Sequence, residues 1–153
     1  EAIQGFNANA KLVPPLREVS DQKALRKALL DGVIDMVTSD HQPLNSELKN
    51  VELDSAHFGS IGLEHSFGCL LSMFSIEQTA EILTRGKSRF GIPALPIEVG
   101  TTADMSLFTP DGVSEITKAS IFSTSKNSLF KGQYLPGKVY GIIAQGKSQV
   151  YSA

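Results

Sequence analysis

The sequence predicts an α/β protein whose latter part turns β-rich, and three observations predict it. A helical pattern leads into a short β-branched run that ends in an abrupt rise in polarity at Ser39-Asp40-His41. An apolar stripe at helical spacing follows: Leu63, Phe67, Leu70, Leu71 and Phe74. Beyond a linker punctuated by Gly91, Pro93, Pro96 and Gly100, the pattern changes to alternating and β-branched runs. The boundary falls near residue 91. Residues 1–91 then read as helix–strand–helix and residues 92–153 as strands.

Taken in order, residues 7–17 form a loop. Pro14-Pro15 removes two backbone donors and pushes Val13 out of the helical region. Ser20-Asp21 can cap a helix carrying Ala24, Leu25, Ala28 and Leu29, with Gly32 as its natural terminator. Residues 33–38, Val-Ile-Asp-Met-Val-Thr, suit a buried parallel strand. The polar stretch from Gln42 to Ser60 is long for a compact domain, and loops of that length are often functional. Residues 63–74 predict a strong helix. Ser75-Ile76-Glu77-Gln78 has the capping-box form for another, ending at Arg85-Gly86. Residues 103–109 and 138–151 read as strands, with Gly146-Lys147 as a hairpin turn.

The bulk properties narrow the function classes. At 153 residues the chain has room for one ordinary domain or two small ones. A net charge of -2 with no basic block among aromatics argues against a nucleic-acid partner. No apolar run approaches the roughly 18 residues of a membrane span, and no signal-peptide pattern opens the chain. The single cysteine, Cys69, lies in an apolar helical pattern and reads as a small core residue. A reducing, cytoplasmic setting is expected. The chain opens on Glu1 rather than Met, which reads as a fragment or a processed chain.

Strand–loop–helix order with a carboxylate at the end of the strand fits a (β/α)8 barrel, where catalytic groups sit on the loops after the strands. Such a barrel needs about 250 residues, and the first part of this chain supplies only two or three βα units. Either this is another layered α/β fold, or it is part of a barrel.

The motifs bear on that choice. In order, the chain carries Pro14-Pro15-Leu16-Arg17, then Asp31-Gly32-Val33-Ile34-Asp35, then Ser39-Asp40-His41-Gln42-Pro43, then Glu47-Leu48-Lys49. Phe58-Gly59-Ser60-Ile61-Gly62-Leu63-Glu64 follows. Near the end come Ala103-Asp104-Met105-Ser106-Leu107-Phe108 and a closing hairpin from Gly137 to Lys147. This order and spacing resembles the last third of dihydroorotases and their cyclic-amidohydrolase relatives, and the resemblance covers nearly the whole chain.

The resemblance implies a partial (β/α)8 amidohydrolase barrel, its last βα units, over residues 1–91, and a small β-sandwich subdomain over residues 92–153. It implies a zinc-dependent hydrolase interconverting N-carbamoyl-L-aspartate and dihydroorotate, a small-molecule reaction of pyrimidine biosynthesis. In the family the aspartate ending the last barrel strand binds metal and shuttles a proton. That position is Asp40, the expected catalytic and metal residue. Phe58 and Gly59 correspond to the pair that flanks the substrate. The other metal ligands lie upstream in the family, and His41, His57 and His65 have no spacing that would build a tetrahedral zinc site.

Two positions depart from the family pattern. An asparagine before the Pro-Pro is Val13 here, and a histidine closing the Asp-His turn is Leu44. Both swaps replace a polar substrate contact with an aliphatic one. They open a second reading, a non-catalytic homologue that scaffolds aspartate transcarbamoylase, and a third, a cyclic amidohydrolase with a different ring substrate. A homo-oligomer, or pairing with the remainder of the barrel, is expected because a partial barrel leaves sheet edges uncovered. The chain alone is expected to bind no zinc and to be inactive.

Overall fold

The computed structural model describes residues 5–151. The opening residue Glu1, noted above for the missing Met, lies outside them. Among the described residues three α-helices and three strands form: α1 (Val19–Leu30), α2 (Ser66–Leu71), α3 (Ile76–Thr84), β1 (Met105–Glu115), β2 (Tyr134–Ala144) and β3 (Lys147–Val150). The result is a small α/β chain with one three-stranded sheet, in the order β1-β2-β3. It clusters into two compact units that do not follow chain order. One runs up to Ser66 and takes in Glu115–Tyr134; the other comprises Phe67–Ser114 and the chain from Leu135 onward.

In the first unit, α1 begins one residue before the expected Ser20-Asp21 cap. Its N-cap is Glu18, which makes no side-chain capping bond. Its end follows the sequence more closely. Gly32 adopts φ +73°, Gly32 N–H donates to Leu29 O, and Val33 N–H donates to Ala28 O. This crossed pair satisfies the last carbonyls and stops the helix, a geometry that favours glycine at the turn. Residues 33–38, expected as a buried parallel strand, form no strand ladder among the described residues, and Val33 is 77% exposed. Apolar character marks a segment that can be buried on both faces. It does not supply the neighbouring strands that a parallel ladder requires. Parallel pairing occurs just beyond, as an isolated bridge between His41 and Ser60.

In the second unit, the helix expected over residues 63–74 is shorter. A 3-10 turn at Leu63–His65, which belongs to the first unit, leads into α2. Leu70 and Phe74 are buried, whereas Leu63 is exposed and Cys69 only half-buried. Burial still pushes the Cys69 thiol up to about 11, as an inert residue on an apolar face requires. The predicted capping box forms. Ser75 Oγ accepts from Gln78 N–H, and Gln78 Oε1 accepts from Ser75 N–H.

Two glycines bring α2 against β2. A Cβ on Gly68 would lie 2.9 Å from Leu135 Cβ, and one on Gly137 would lie 2.7 Å from both Leu71 and Phe67. Phe67 also packs on Phe108 of β1, with centroids 4.9 Å apart. β2 and β3 pair antiparallel, Ala144 opposite Lys147. Their turn is Gln145-Gly146, one residue earlier than expected, and both residues have positive φ as a tight two-residue hairpin turn demands. β1 is longer than residues 103–109. It contains Pro110, which is tolerated because β1 is an edge strand.

Candidate functional site

The Asp40 turn is built from residues that approach closely. Asp40 has φ +40°, unusual for a residue with a side chain, and its carboxylate is exposed at the end of the extended segment. Gln42 Nε2 donates to Asp40 Oδ2 at 2.8 Å. The next strand-like stretch lies alongside through Gln42 N–H, which donates to Ser60 O at 3.0 Å. Two glycines of the Phe58–Gly62 motif permit that approach. A Cβ on Gly62 would stand 2.6 Å from Ser39 O, and one on Gly59, at φ +123°, would stand 2.6 Å from Gln42 Oε1. Glycine is therefore required at both positions by contact and, at Gly59, by conformation as well.

Phe58 is 51% exposed, and Lys11 Nζ sits 4.9 Å from its ring centroid in cation–π contact. Gly59 N–H donates to Lys11 O. Lys49 is only 5% exposed and reaches the same segment, donating to Ala8 O at 2.9 Å and Lys11 O at 3.4 Å. Burial, and then the nearby Lys11 charge, hold the Lys49 ammonium below its ordinary value. Asp40 and the Phe58-Gly59 pair thus share one unit, Gln42 lying between them.

The three histidines serve different ends. His41 Nδ1 receives Gly62 N–H at 3.3 Å and Leu63 N–H at 3.2 Å. Backbone N–H groups only donate, so Nδ1 is the bare nitrogen. Nε2 then carries the hydrogen that Ser123 Oγ, 3.3 Å away, accepts. His65 is buried, 3.4 Å from Ser128 Oγ, with its ring tilted against Phe130. Burial lowers its pKa. His57 is exposed.

Residues between β1 and β2, which carry no sequence signal, complete the turn. Asn127 is 5% exposed. Its Nδ2 donates to Gln42 O at 2.9 Å and its Oδ1 accepts from Leu44 N–H at 3.1 Å, clamping the turn on both sides. Its backbone carbonyl accepts from Ile61 N–H and Ser60 Oγ. Glu64 accepts the backbone N–H groups of Phe122 and Ser123. Burial pulls the Glu64 carboxyl upward, but the Phe122 amide and both Ser123 donors outweigh it and hold the pKa below the usual range. No local signal identifies Asn127, Ser123 or Ser128. Only Glu64 stood inside a recognised motif.

Among the described residues no three of His, Cys, Asp and Glu cluster as a metal site would need. The described residues therefore assemble no complete zinc ligand set by themselves, although Asp40 could lend one oxygen ligand. Among the described residues no helix is long and apolar enough to cross a membrane.

The chain aligns over 96% of its length with the dihydroorotase of Bacillus subtilis (strain 168), at 36% identity. It does the same with the dihydroorotase of Pelotomaculum thermopropionicum, at 34%. Over this length the chain is similar to dihydroorotases. It spans 36% of the length of each of these relatives. Among solved structures, the D-hydantoinase (dihydropyrimidinase) from Thermus sp. superposes on 94% of the dihydroorotase-like chain with a TM-score of 0.78 and 25% identity, matching 34% of its own length. The inactive dihydroorotase-like domain of the Chaetomium thermophilum CAD-like multifunctional protein is similar in fold alone. It has a TM-score of 0.56 and 18% identity, over 87% of this chain and 36% of that one. No family model matches the dihydroorotase-like chain.

Proposed function

We propose that this chain is the C-terminal portion of a cytoplasmic zinc amidohydrolase interconverting N-carbamoyl-L-aspartate and dihydroorotate in pyrimidine biosynthesis. The observation that carries the reading is the Asp40 turn: an exposed carboxylate at the end of an extended segment, held beside Phe58-Gly59, in a chain similar to dihydroorotases along 96% of its length. Residues 1–91 then belong to the barrel and residues 92–153 to the β-sandwich subdomain. The segment around Glu115–Tyr134 braces the barrel part.

The exposed apolar side chains Val19, Leu25 and Leu30 of α1, with Val33 and Val37, support a barrel completed by further βα units. Asp40 would carry a proton between the attacking water and the leaving ring nitrogen, since an exposed carboxylate can take and return a proton at the same oxygen. Phe58 and Gly59 would flank the ring. Zinc would take its other ligands from upstream of this stretch.

Assay of the full-length, zinc-loaded protein tests the reading. Reversible cyclisation is expected, with Asp40→Asn lowering kcat by about 10²–10⁴-fold. Absence of turnover with metal bound would refute it. The scaffold reading, with aspartate transcarbamoylase as partner, is favoured by one specific pair. Val13 is exposed and aliphatic, and Leu44 offers only its backbone N–H, to Asn127. An upstream sequence lacking the family's other metal ligands would decide for the scaffold.

A further inference from the structure

We propose that Gln42 is a positioning residue for Asp40, an inference that rests on the amidohydrolase reading above. Gln42 is the one side chain seen to reach both parts of the candidate site among the described contacts. Its Nε2 donates to Asp40 Oδ2 at 2.8 Å, while its Oε1 and Cβ cover the open face of Gly59, within 2.6 and 2.9 Å of where a Cβ there would stand.

The amide orientation follows from chemistry, because an ionised carboxylate only accepts and so only the nitrogen can face it. The backbone of Gln42 is fixed on both sides: its N–H donates to Ser60 O, and its carbonyl accepts from buried Asn127. The fixed backbone anchors the Gln42 Cα, and packing of its side chain over Gly59 limits where the amide can turn. Asp40 itself sits at φ +40°, and Gln42 engages one of its two oxygens. One carboxylate oxygen is thereby occupied and the other is left to face a reactant. Gln42 sets which oxygen that is. Its second role is steric: the amide fills the space over Gly59 and narrows the room beside Phe58 for a ring.

The first test is made on the 153-residue chain. Asp40→Ala should shift the Gln42 side-chain amide resonances in a ¹H–¹⁵N spectrum, and unshifted resonances would overturn the pairing. The second is kinetic and uses the full-length zinc-loaded protein. Gln42→Leu keeps the bulk over Gly59 and removes the donor. Gln42→Glu keeps the reach and sets two carboxylates against each other. A bond to a charged acceptor of this kind predicts roughly a tenfold or larger fall in kcat for Gln42→Leu, with KM within about twofold and the unfolding midpoint unchanged. Gln42→Glu should fall further. A Gln42→Leu enzyme with parental kcat, in a protein that Asp40→Asn inactivates, would overturn the inference and leave the amidohydrolase reading intact. A full-length protein that turns nothing over, or one indifferent to Asp40→Asn, would sink that reading and this inference with it.

Discussion

Both compact units bury apolar side chains, Ala10, Leu29, Ala56, Ile61 and Ile121 in the unit that carries Asp40, but they differ in the polar groups they bury with them. Among the described residues the buried polar side chains are Lys49, Ser60, His65, Asn127 and Ser128 in the unit that carries Asp40, and Thr79 alone in the unit that carries the sheet. The sheet unit rests on Leu70, Phe74, Ile82 and Leu135, with its polar contacts kept local, as in the Ser75 capping box. Apolar packing is non-directional and tolerates small shifts. Buried hydrogen bonds fix orientation, and each becomes a liability when one partner goes. The Asp40 turn draws on the second kind of cohesion.

Substitutions in the two units should separate these behaviours. The largest effect is expected in the sheet unit. Leu70→Ala removes a buried side chain and should cost about 2–5 kcal/mol by denaturant unfolding. Asn127→Ala comes next. It strips partners from Gln42 O and Leu44 N–H, part-buried groups that water can partly re-satisfy, at about 1–3 kcal/mol in all. Hydrogen exchange should quicken at Leu44 while Ile61, bonded to the Asn127 backbone, stays protected. If both amides quicken together, Asn127 acts through global stability and the contrast between the units weakens.

Ser75→Ala should cost about 1 kcal/mol and leave the Asp40 turn untouched, because the capping box is local. The smallest effect lies in the pH dependence of the Asp40 unit. His65 is buried with its pKa lowered, so the fold favours the neutral ring and loses stability as pH falls below the ordinary 6.5. Glu64, also lowered, adds stability above 4.5 that is lost as pH falls further. Thermal melts of the parent and His65→Gln between pH 7 and pH 5 should show a flatter slope in the variant. An unchanged slope would remove His65 from the account.

The same contrast explains what the sequence disclosed. Signals that act within one turn were legible: the Ser75-Gln78 box, Gly32 closing α1, and the hairpin to within a residue. So were the motifs around Asp40 and Phe58-Gly59, because the resemblance to dihydroorotases rests on contiguous residues. The β-branched run at residues 33–38 misled, since strand formation depends on neighbours that the run itself does not encode. The clamp on the Asp40 turn was invisible for a related reason. Glu64 meets Phe122 across 58 positions, and Asn127 meets Gln42 across 85. No local pattern ties Asn127 to Gln42 over such a distance.

That long reach bears on how the chain is made and how it can be cut. The whole of Phe67–Ser114 is synthesised between the Asp40 turn and the residues that clamp it. On a ribosome, the turn must therefore wait, with Gln42 O, Leu44 N–H and Glu64 facing water, until Asn127 has emerged. An expression boundary drawn at residue 91, where the composition changes, would make that wait permanent. It would yield a piece that keeps Asp40, Gln42, Phe58 and Gly59 and has lost the Asn127 side chain that holds the backbone at Gln42 and Leu44.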